Sequence, residues 1–361
     1  MSNNDVSPSA FDGLAALSEA IQSASAERPL RIVGGNTKAF YGRPVEGTPV
    51  STREHRGITS YDPVELIVSV RAGTLLSELE EALADQGQML PFEPPHFGAE
   101  ATVGGTIAAG LSGPRRPWAG SVRDFVLGLR VLDHQGREQR FGGEVMKNVA
   151  GYDLSRLMVG AQGTLGLITE VTLKVLPLPT ASASLRLEMS QSEALSRLAE
   201  WGRKPLPLSA AAWHSGALHL RLEGGASSVA ATREAIGGDT LEADFWRELR
   251  ELSLPFFSDT STPLWRISLP TNTPSLDIAG VEPHQLLLDW AGNQRWLKGQ
   301  VDAESLRDAV AQAGGHATCF TPGTAEPFTP LQPVVAKYHE RVKRKLDPDG
   351  IFNPRRLYPD W

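Results

Sequence analysis

Three glycine-rich segments constrain the fold of this chain most. They occupy residues 34–38 (GGNTK), 102–105 (TVGG) and 160–166 (GAQGTLG), and each adjoins apolar sequence typical of a strand. Glycine tolerates positive φ and leaves backbone N–H groups open to a ligand, so such loops suit an anion. Three of them in one region predict a large anionic ligand.

Two common nucleotide signatures are absent from the sequence. No two glycines are separated by a single residue, which excludes the G-x-G-x-x-G fingerprint, and no lysine follows a glycine, which excludes a P-loop. The sequence also lacks H-E-x-x-H, and its eight histidines show no metal-like pairing. These absences argue against NAD, ATP and zinc chemistry.

Composition restricts the partners. A net charge of -7 with dispersed basic residues disfavours nucleic acid and anionic membranes. No apolar stretch approaches the roughly 20 residues of a membrane span, and residues 1–8 lack signal-peptide character, so we expect a cytoplasmic protein, peripheral at the inner face of the membrane only through partners. The single cysteine, Cys319, cannot ligate an iron–sulfur cluster, which needs about four thiolates. Any cluster must lie on a partner.

Periodicity and prolines divide the chain in two. The LPLPT segment at 176–180 predicts a boundary. We expect a loose N-terminus (1–10), a ligand-binding domain (11–179), a second domain (180–325) and a C-terminal helix and tail (326–361). The patterns predict strands at 30–33, 66–72, 126–132, 137–141, 167–176, 184–189, 217–222, 264–269 and 285–290, and helices at 191–201, 227–235, 303–314 and 331–346. A further helix is predicted to be capped by Thr74, with Leu75, Leu79 and Leu83 on one face. The class is α+β.

Each glycine loop also has a purely structural interpretation. Gly-Gly-Asn is common turn chemistry, so residues 34–38 suit a tight turn as well as a pyrophosphate. Residues 101–113 contain almost nothing larger than valine or leucine. Such a surface suits a flat ring, and it equally suits close helix packing.

Taken in order, these segments resemble the FAD-binding domain of the vanillyl-alcohol oxidase and p-cresol methylhydroxylase (PCMH) superfamily. The resemblance rests on residues 34–38, 71–73 (RAG), 102–105, 123–124 (RD), 147–154 (KNVAGYDL), 163–166 (GTLG) and 168–170 (ITE). Residues 90–98 (LPFEPPHFG), 109–116 (AGLSGPRR), 145–153 (VMKNVAGYD) and 347–354 (DPDGIFNP) are similar to its 2-hydroxyacid oxidoreductase branch, specifically the small flavoprotein subunits of glycolate oxidases.

The resemblance implies a PCMH-type two-lobed FAD-binding domain followed by a smaller α+β cap domain with a mainly antiparallel sheet. It places the FAD pyrophosphate on Gly34, Gly35, Asn36, Thr37 and Lys38. It places the ring system along Thr102, Gly104, Gly105, Ala108, Gly110 and Ser112, the adenine end near Gly163, Gly166 and Ile168, and Asn353 with Arg356 at the flavin edge.

The resemblance also implies a reaction and partners. Glycolate is oxidised to glyoxylate, and electrons pass through an iron–sulfur subunit to a quinone, beside a larger FAD-containing subunit. No histidine or cysteine stands at the covalent tethering positions, so FAD is expected to bind noncovalently.

The catalytic base is not identified from sequence, because the H-x-G-D-G-N-x-H segment of larger relatives is missing. Arg266, a charge in an apolar strand pattern, is the candidate anchor for a substrate carboxylate; the alternative is a surface arginine at a sheet edge. His96, between prolines and phenylalanine, has two interpretations: a residue that faces the flavin, or part of a rigid structural loop. Three functions stay open: a redox subunit of a complex, a stand-alone FAD-dependent D-2-hydroxyacid (lactate-type) dehydrogenase, and a noncatalytic FAD-containing assembly subunit.

Overall fold

A computed structural model describes residues 12–143, 153–242 and 244–361. In chain order, the elements of the first half are α1 (Leu14–Gln22), β1 (Leu30–Val33), β2 (Thr48–Ser51), β3 (Ile58–Asp62), β4 (Ile67–Arg71), α2 (Leu76–Ala84), β5 (Gln88–Met89), α3 (Val103–Ala109), α4 (Arg116–Ala119), α5 (Val122–Phe125), β6 (Val126–Leu132), β7 (Glu138–Gly142), α6 (Leu154–Met158), β8 (Leu167–Lys174) and β9 (Leu176–Pro177). The remaining elements are β10 (Ala181–Glu188), α7 (Gln191–Trp201), β11 (Leu208–His214), β12 (Ala217–Gly224), α8 (Ala226–Ile236), β13 (Asp239–Thr240), α9 (Asp244–Arg250), β14 (Leu264–Ser268), β15 (Leu286–Asp289), β16 (Gln294–Lys298), α10 (Ala303–Gln312), β17 (His316–Cys319) and α11 (Pro333–Leu346). The predicted α+β class is confirmed. The predicted loose N-terminus at 1–10 and the KNVAGY motif at 147–152 lie outside the described residues.

The described chain forms two compact units. The first comprises residues 12–111, 121–143, 153–178 and 330–361, and the second comprises residues 112–120, 179–242 and 244–329. The sequence prediction assigned residues 112–120 to the first domain. They pack with the second unit because Arg115 forms a salt bridge with Glu223 (2.6 Å) and Gly113 O accepts the indole N–H of Trp290 (2.9 Å).

The first unit contains a five-stranded antiparallel sheet in the order β3-β4-β8-β6-β7 and a parallel pair, β1 with β2. α1, the β1–β2 pair and the C-terminal segment share one apolar cluster, which buries Leu17, Leu30, Ile351 and Phe352. The C-terminal segment is therefore part of the core of this unit.

One predicted helix cap is wrong. α2 begins at Leu76 and buries Leu76, Leu79 and Leu83. The Thr74 hydroxyl instead donates to the carbonyl of Arg71 (2.7 Å) and accepts the amide of Gly57 (2.9 Å). Because the Thr74 hydroxyl makes these two loop hydrogen bonds, it does not cap the helix as the sequence pattern predicted.

The second unit is built on an eight-stranded antiparallel sheet in the order β13-β10-β12-β11-β15-β16-β14-β17. A mainly antiparallel sheet was predicted, but the sequence predicted only four of these eight strands. Residues from α7, α8 and α10, including Leu198, Val229 and Leu306, pack in one cluster with Trp265 and Ile267 of β14. The helices thus supply one buried side of the sheet.

Across the described parts of the chain, no helix combines the length and the apolar character that crossing a bilayer requires.

Candidate cofactor site

A cavity of about 370 Å³ lies entirely within the first unit, a volume typical of small-molecule pockets. Its wall includes β1, the loop that follows it, α3 from its cap Thr102 to Ala109, the turn before β8 and the C-terminal segment. The lining includes these predicted FAD contacts: Gly34, Gly35, Asn36, Thr37, Lys38, Thr102, Gly104, Gly105, Ala108, Gly163, Gly166, Ile168, Asn353 and Arg356. Segments more than 300 residues apart in sequence thus meet around one space.

Gly34 and Gly35 are required for a different reason from the one expected. Neither adopts positive φ; the left-handed residue of the loop is Asn36, with φ 59°. A Cβ on Gly35 would lie 1.4 Å from the carbonyl oxygen of Glu100, and one on Gly34 would lie 2.3 Å from Thr102 Oγ1. The two glycines allow close backbone packing against the segment that leads into α3.

The beginning of α3 is shaped by the same requirement for small residues. Thr102 caps the helix, its hydroxyl accepting the amide of Gly105 at 3.3 Å. A Cβ on Gly104 would lie 2.6 Å from Ala72 Cβ, so the helix approaches the end of β4 closely. Gly105 and Ala108 line the cavity from this helix. The resulting wall carries no large side chain, which suits a flat ring system.

The loop after β1 is held from two sides. Lys38 Nζ donates to the carbonyl of His96 (3.1 Å), and Phe40 makes an edge contact with Phe97. His96 in turn lies 2.9 Å from Glu80 and is not among the cavity-lining residues. The 90–98 segment therefore supports the loop through its backbone and rings.

Arg356 fixes this loop from the other side. Its guanidinium donates to the side chain of Gln162 (2.7 Å) and to the carbonyls of Tyr41 (2.7 Å) and Arg43 (2.6 Å), with further bonds to Lys38 and Ala39. Burial lowers its pKa to about 10, so it stays charged at neutral pH. Its N–H groups thus bind protein backbone, which makes it a clamp of the cavity wall.

Asn353 connects β1 to the turn before β8. Its side-chain oxygen accepts the amide of Ile32 (2.8 Å), and its amide donates to the carbonyl of Gln162 (2.7 Å). A Cβ on Gly163, which has φ 71°, would lie 2.8 Å from Asn353 Nδ2. The glycine therefore makes room for the asparagine.

Sequence reasoning missed several lining residues. Gln162 has φ 51° and shapes the turn through both Arg356 and Asn353, while Arg31 and Tyr41 also face the cavity. The only signal for Gln162 was its position between Gly160 and Gly163. The charged residues that line the cavity are Arg31, Lys38 and Arg356. Among the residues that the structure describes, no acidic side chain lines it. This charge favours an anionic ligand.

The structure does not place Gly110 and Ser112 in the cavity lining. Gly110 ends α3 in the left-handed conformation (φ 67°), and a Cβ there would lie 2.9 Å from Gly160 Cα. Ser112 belongs to the second unit. Gly110 therefore serves a helix end and close backbone packing, the alternative that the sequence had left open.

Arg266 also belongs to the second unit. It lies in β14 opposite Trp296 and Thr318, and its guanidinium is 5.3 Å from the ring centre of Phe320. His316, diagonal to it on β17, has a pKa lowered by partial desolvation and by the positive charges of Arg266 and Arg116. The role of Arg266 as a carboxylate anchor stays a prediction.

The cavity fits FAD. Side chains at Gly34, Gly35 and Gly104 would meet protein atoms, so backbone lies beside the cavity there, and the charged residues of the lining are all basic, which suits the anionic diphosphate of FAD. The family model described as the FAD binding domain matches residues 12–142. The predicted cofactor, FAD, is confirmed.

Sequence comparison identifies relatives. The chain is 53% identical to glycolate oxidase subunit GlcE of Escherichia coli over 346 residues, which are 96% of this chain and 97% of that protein. It is 36% identical to glycolate oxidase subunit GlcD of Bacillus subtilis over 143 residues, 39% of this chain and 30% of that protein. It is 37% identical to D-lactate dehydrogenase of Anaerostipes hadrus over 139 residues, 38% of this chain and 29% of that protein.

Structural comparison establishes the fold. A solved alkyldihydroxyacetonephosphate synthase superposes with a TM-score of 0.67 at 17% identity, covering 96% of this chain and 76% of that one. The predicted PCMH-type fold is confirmed. With more than half of its residues shared across nearly the full length of both proteins, the chain belongs to the family of glycolate oxidase subunit GlcE, a family of FAD-dependent oxidoreductases.

Proposed function

We propose that this chain is the FAD-binding subunit of a glycolate oxidase complex that oxidises glycolate to glyoxylate. The identity to subunit GlcE over 96% of the chain carries the proposal. Its partners are a larger FAD-containing subunit and an iron–sulfur subunit that passes electrons to a quinone. The buried Cys319 is the single cysteine of the chain, in agreement with a cluster held on another subunit. The complex is cytoplasmic, with any membrane contact made through the partners.

Each wall of the cavity has a proposed role in binding FAD. The loop of Gly34, Gly35, Asn36, Thr37 and Lys38 receives the pyrophosphate, and Arg31 adds positive charge beside it. The α3 wall at Gly105 and Ala108 backs the ring system. The turn at Gly163, Gly166 and Ile168 lies at the adenine end. The hydrogen bonds of Gln162, Asn353 and Arg356 keep these walls in place relative to one another.

Bound FAD supplies an acceptor for the two electrons removed from a 2-hydroxy acid. This chain contributes the position of that acceptor and, through Arg266, a cation for the substrate carboxylate. FAD is held noncovalently, because residues 34–36 (GGN) offer no histidine or cysteine for a covalent tether. Acid precipitation is therefore expected to release the flavin, and colour retained in the pellet would contradict this.

A stand-alone D-2-hydroxyacid dehydrogenase is the second candidate. The identity to D-lactate dehydrogenase favours it, although that match covers 38% of this chain. A noncatalytic assembly subunit is the third, favoured by the absence of the H-x-G-D-G-N-x-H segment, which leaves the catalytic base unidentified in this sequence.

The deciding experiment measures flavin content and glycolate-dependent dye reduction for the chain alone and with its two partner subunits. We expect flavin in both preparations and turnover in the complex. Robust turnover by the isolated chain would favour the stand-alone enzyme. Full activity of a complex in which Gly35→Ala has removed flavin from this subunit would favour the assembly role.

A further inference from the structure

Helix α11 carries three of the five exposed large apolar side chains among the described residues. The exposed fractions are 67% for Val334, 40% for Val335 and 59% for Tyr338. Only Val64 and Leu178 are comparable elsewhere in the described chain. Apolar side chains that cluster on a surface mark interaction sites more often than isolated ones do.

The geometry of the helix separates an inner face from an outer face. Lys343 is buried, and Ala336, Glu340 and Leu346, on the same side at helical spacing, are half-buried. Val334, Tyr338, Arg341 and Lys345 recur at intervals of four, three and four residues on the opposite side, and all are exposed. We call these four residues the outer stripe.

The outer stripe changes character along its length. Its first half is apolar, and its second half is basic, with the Arg341 guanidinium lying 5.8 Å from the ring centre of Tyr338. Lys337 adds a further exposed cation. The chain as a whole has a net charge of -7, so this basic helix end contrasts with the rest of the molecule. Tyrosine and arginine are the residues most enriched at the energetic centres of protein interfaces.

We propose that the outer stripe docks into a partner subunit of the complex, in an apolar groove bounded by carboxylates. The inference rests on the proposed function, because it assumes that this chain works in a complex. An amphipathic helix in a groove uses anchors at i, i+4 and i+7, which here are Val334, Tyr338 and Arg341. The carboxylates would pair with Arg341 and Lys345 and would fix the direction of the helix.

Two other occupants fit less well. In an antiparallel pair of copies, the apolar half of each helix would face the basic half of the other, and in a parallel pair the basic halves would repel. A lipid surface is disfavoured because membrane-surface helices bury tryptophan, phenylalanine or leucine, whereas this stripe offers one valine and one tyrosine.

The test uses the chain co-expressed with the larger flavoprotein subunit and the iron–sulfur subunit. Val334→Ser/Tyr338→Ser removes the apolar half, and Arg341→Glu/Lys345→Glu reverses the basic half. Val64→Ser is the matched control, because Val64 is 88% exposed in the same unit and lies in the turn between β3 and β4. We expect each double variant to weaken complex formation about tenfold or more, with unchanged flavin content and Tm of the isolated chain, and the control to assemble normally.

Several results would overturn the proposal. A complex that survives both double variants would exclude the outer stripe as the docking surface while leaving the proposed function intact. A smaller solution mass of the isolated Val334→Ser/Tyr338→Ser chain would assign the stripe to a second copy. Binding of the wild-type chain to phosphatidylglycerol vesicles, lost in that variant while the complex persists, would assign it to lipid. If the wild-type chain binds neither subunit, the proposed function fails and this inference fails with it.

Discussion

Replacing Asp347 by asparagine is expected to loosen the C-terminal segment that completes the cofactor cavity. Asp347 and Lys343 are 2% and 5% exposed, and Lys343 Nζ lies 2.5 Å from Asp347 Oδ2. The same ammonium donates to the carbonyls of Thr164 (2.7 Å) and Phe352 (3.0 Å). The carboxylate also accepts the amides of Ile351 and Phe352, each at 3.0 Å. The pair thus joins the end of α11 to the strand-like tail that carries Asn353.

The magnitude follows from burial. Removing one partner of a buried ion pair costs about 3–5 kcal/mol, because the remaining charge loses its compensation. For a unit of this size, each kcal/mol lowers Tm by about 2–4 °C, so we expect a decrease of about 6–20 °C. The control is Glu340→Gln, which removes an i,i+4 pair with Arg344 on the same helix, where the side chains are 43% and 74% exposed. That pair should contribute less than about 1 kcal/mol.

A pH series adds a second readout. Burial lowers the pKa of Lys343, and Asp347 opposes that decrease. In Asp347→Asn the pKa of Lys343 in the folded chain falls further. At pH values between this lowered pKa and the ordinary lysine pKa, the unfolded chain binds more protons than the folded chain. The stability of the variant therefore rises as the pH increases through this range. Thermal unfolding measured between pH 7 and 10 should therefore show that the variant regains part of its lost Tm as the pH rises. Equal Tm values for Asp347→Asn and Glu340→Gln would refute the reasoning.

Three further predictions concern the cavity, the second unit and the substrate. Gly35→Ala should abolish flavin retention, since its Cβ would lie 1.4 Å from the carbonyl oxygen of Glu100; Gly225→Ala, where a Cβ meets nothing within 4 Å, should retain flavin as judged by absorbance. Burial lowers the pKa of His219 to about 4, so the unfolded chain binds more protons between pH 6.5 and 4 and stability falls on acidification by about 3 kcal/mol. His219→Phe should flatten that part of the urea-midpoint profile, and an unchanged profile would exclude His219 as its source. Arg266→Lys should raise the KM of the complex for glycolate about tenfold or more, whereas unchanged kinetics would remove Arg266 from the substrate site.

Local patterns predicted the elements that are self-contained in sequence. The strand Leu30–Val33 and the helix Gln191–Trp201 occur with the predicted bounds, and the hairpin of β6 and β7 forms as expected. β11 was missed because its central residues, Ser209 to Ala212, have low strand propensity. It becomes a strand through its neighbours β12 and β15, which a sequence window does not contain.

The sequence predicted which residues form the site, but not the physical reasons why those residues are needed. Glycine at 34 and 35 was attributed to positive φ, whereas the structure requires it because Glu100 and Thr102 approach the loop. Arg356 was expected at the flavin edge, and its hydrogen bonds to backbone carbonyls around Tyr41 depend on a contact 315 residues away in sequence. Such long-range contacts have no local signature.

The bonds of Asn353 and Arg356 also set an order of events during biosynthesis. The wall formed by Ile32 and Tyr41 is translated early, but the side chains that hold it in place are translated more than 300 residues later. A ribosome-bound chain shorter than 353 residues therefore lacks a completed pocket, whereas residues 179–329 of the second unit are already available to fold. Flavin loading is expected to follow the synthesis of residue 356, and the closure of this long loop is expected to limit the rate of refolding.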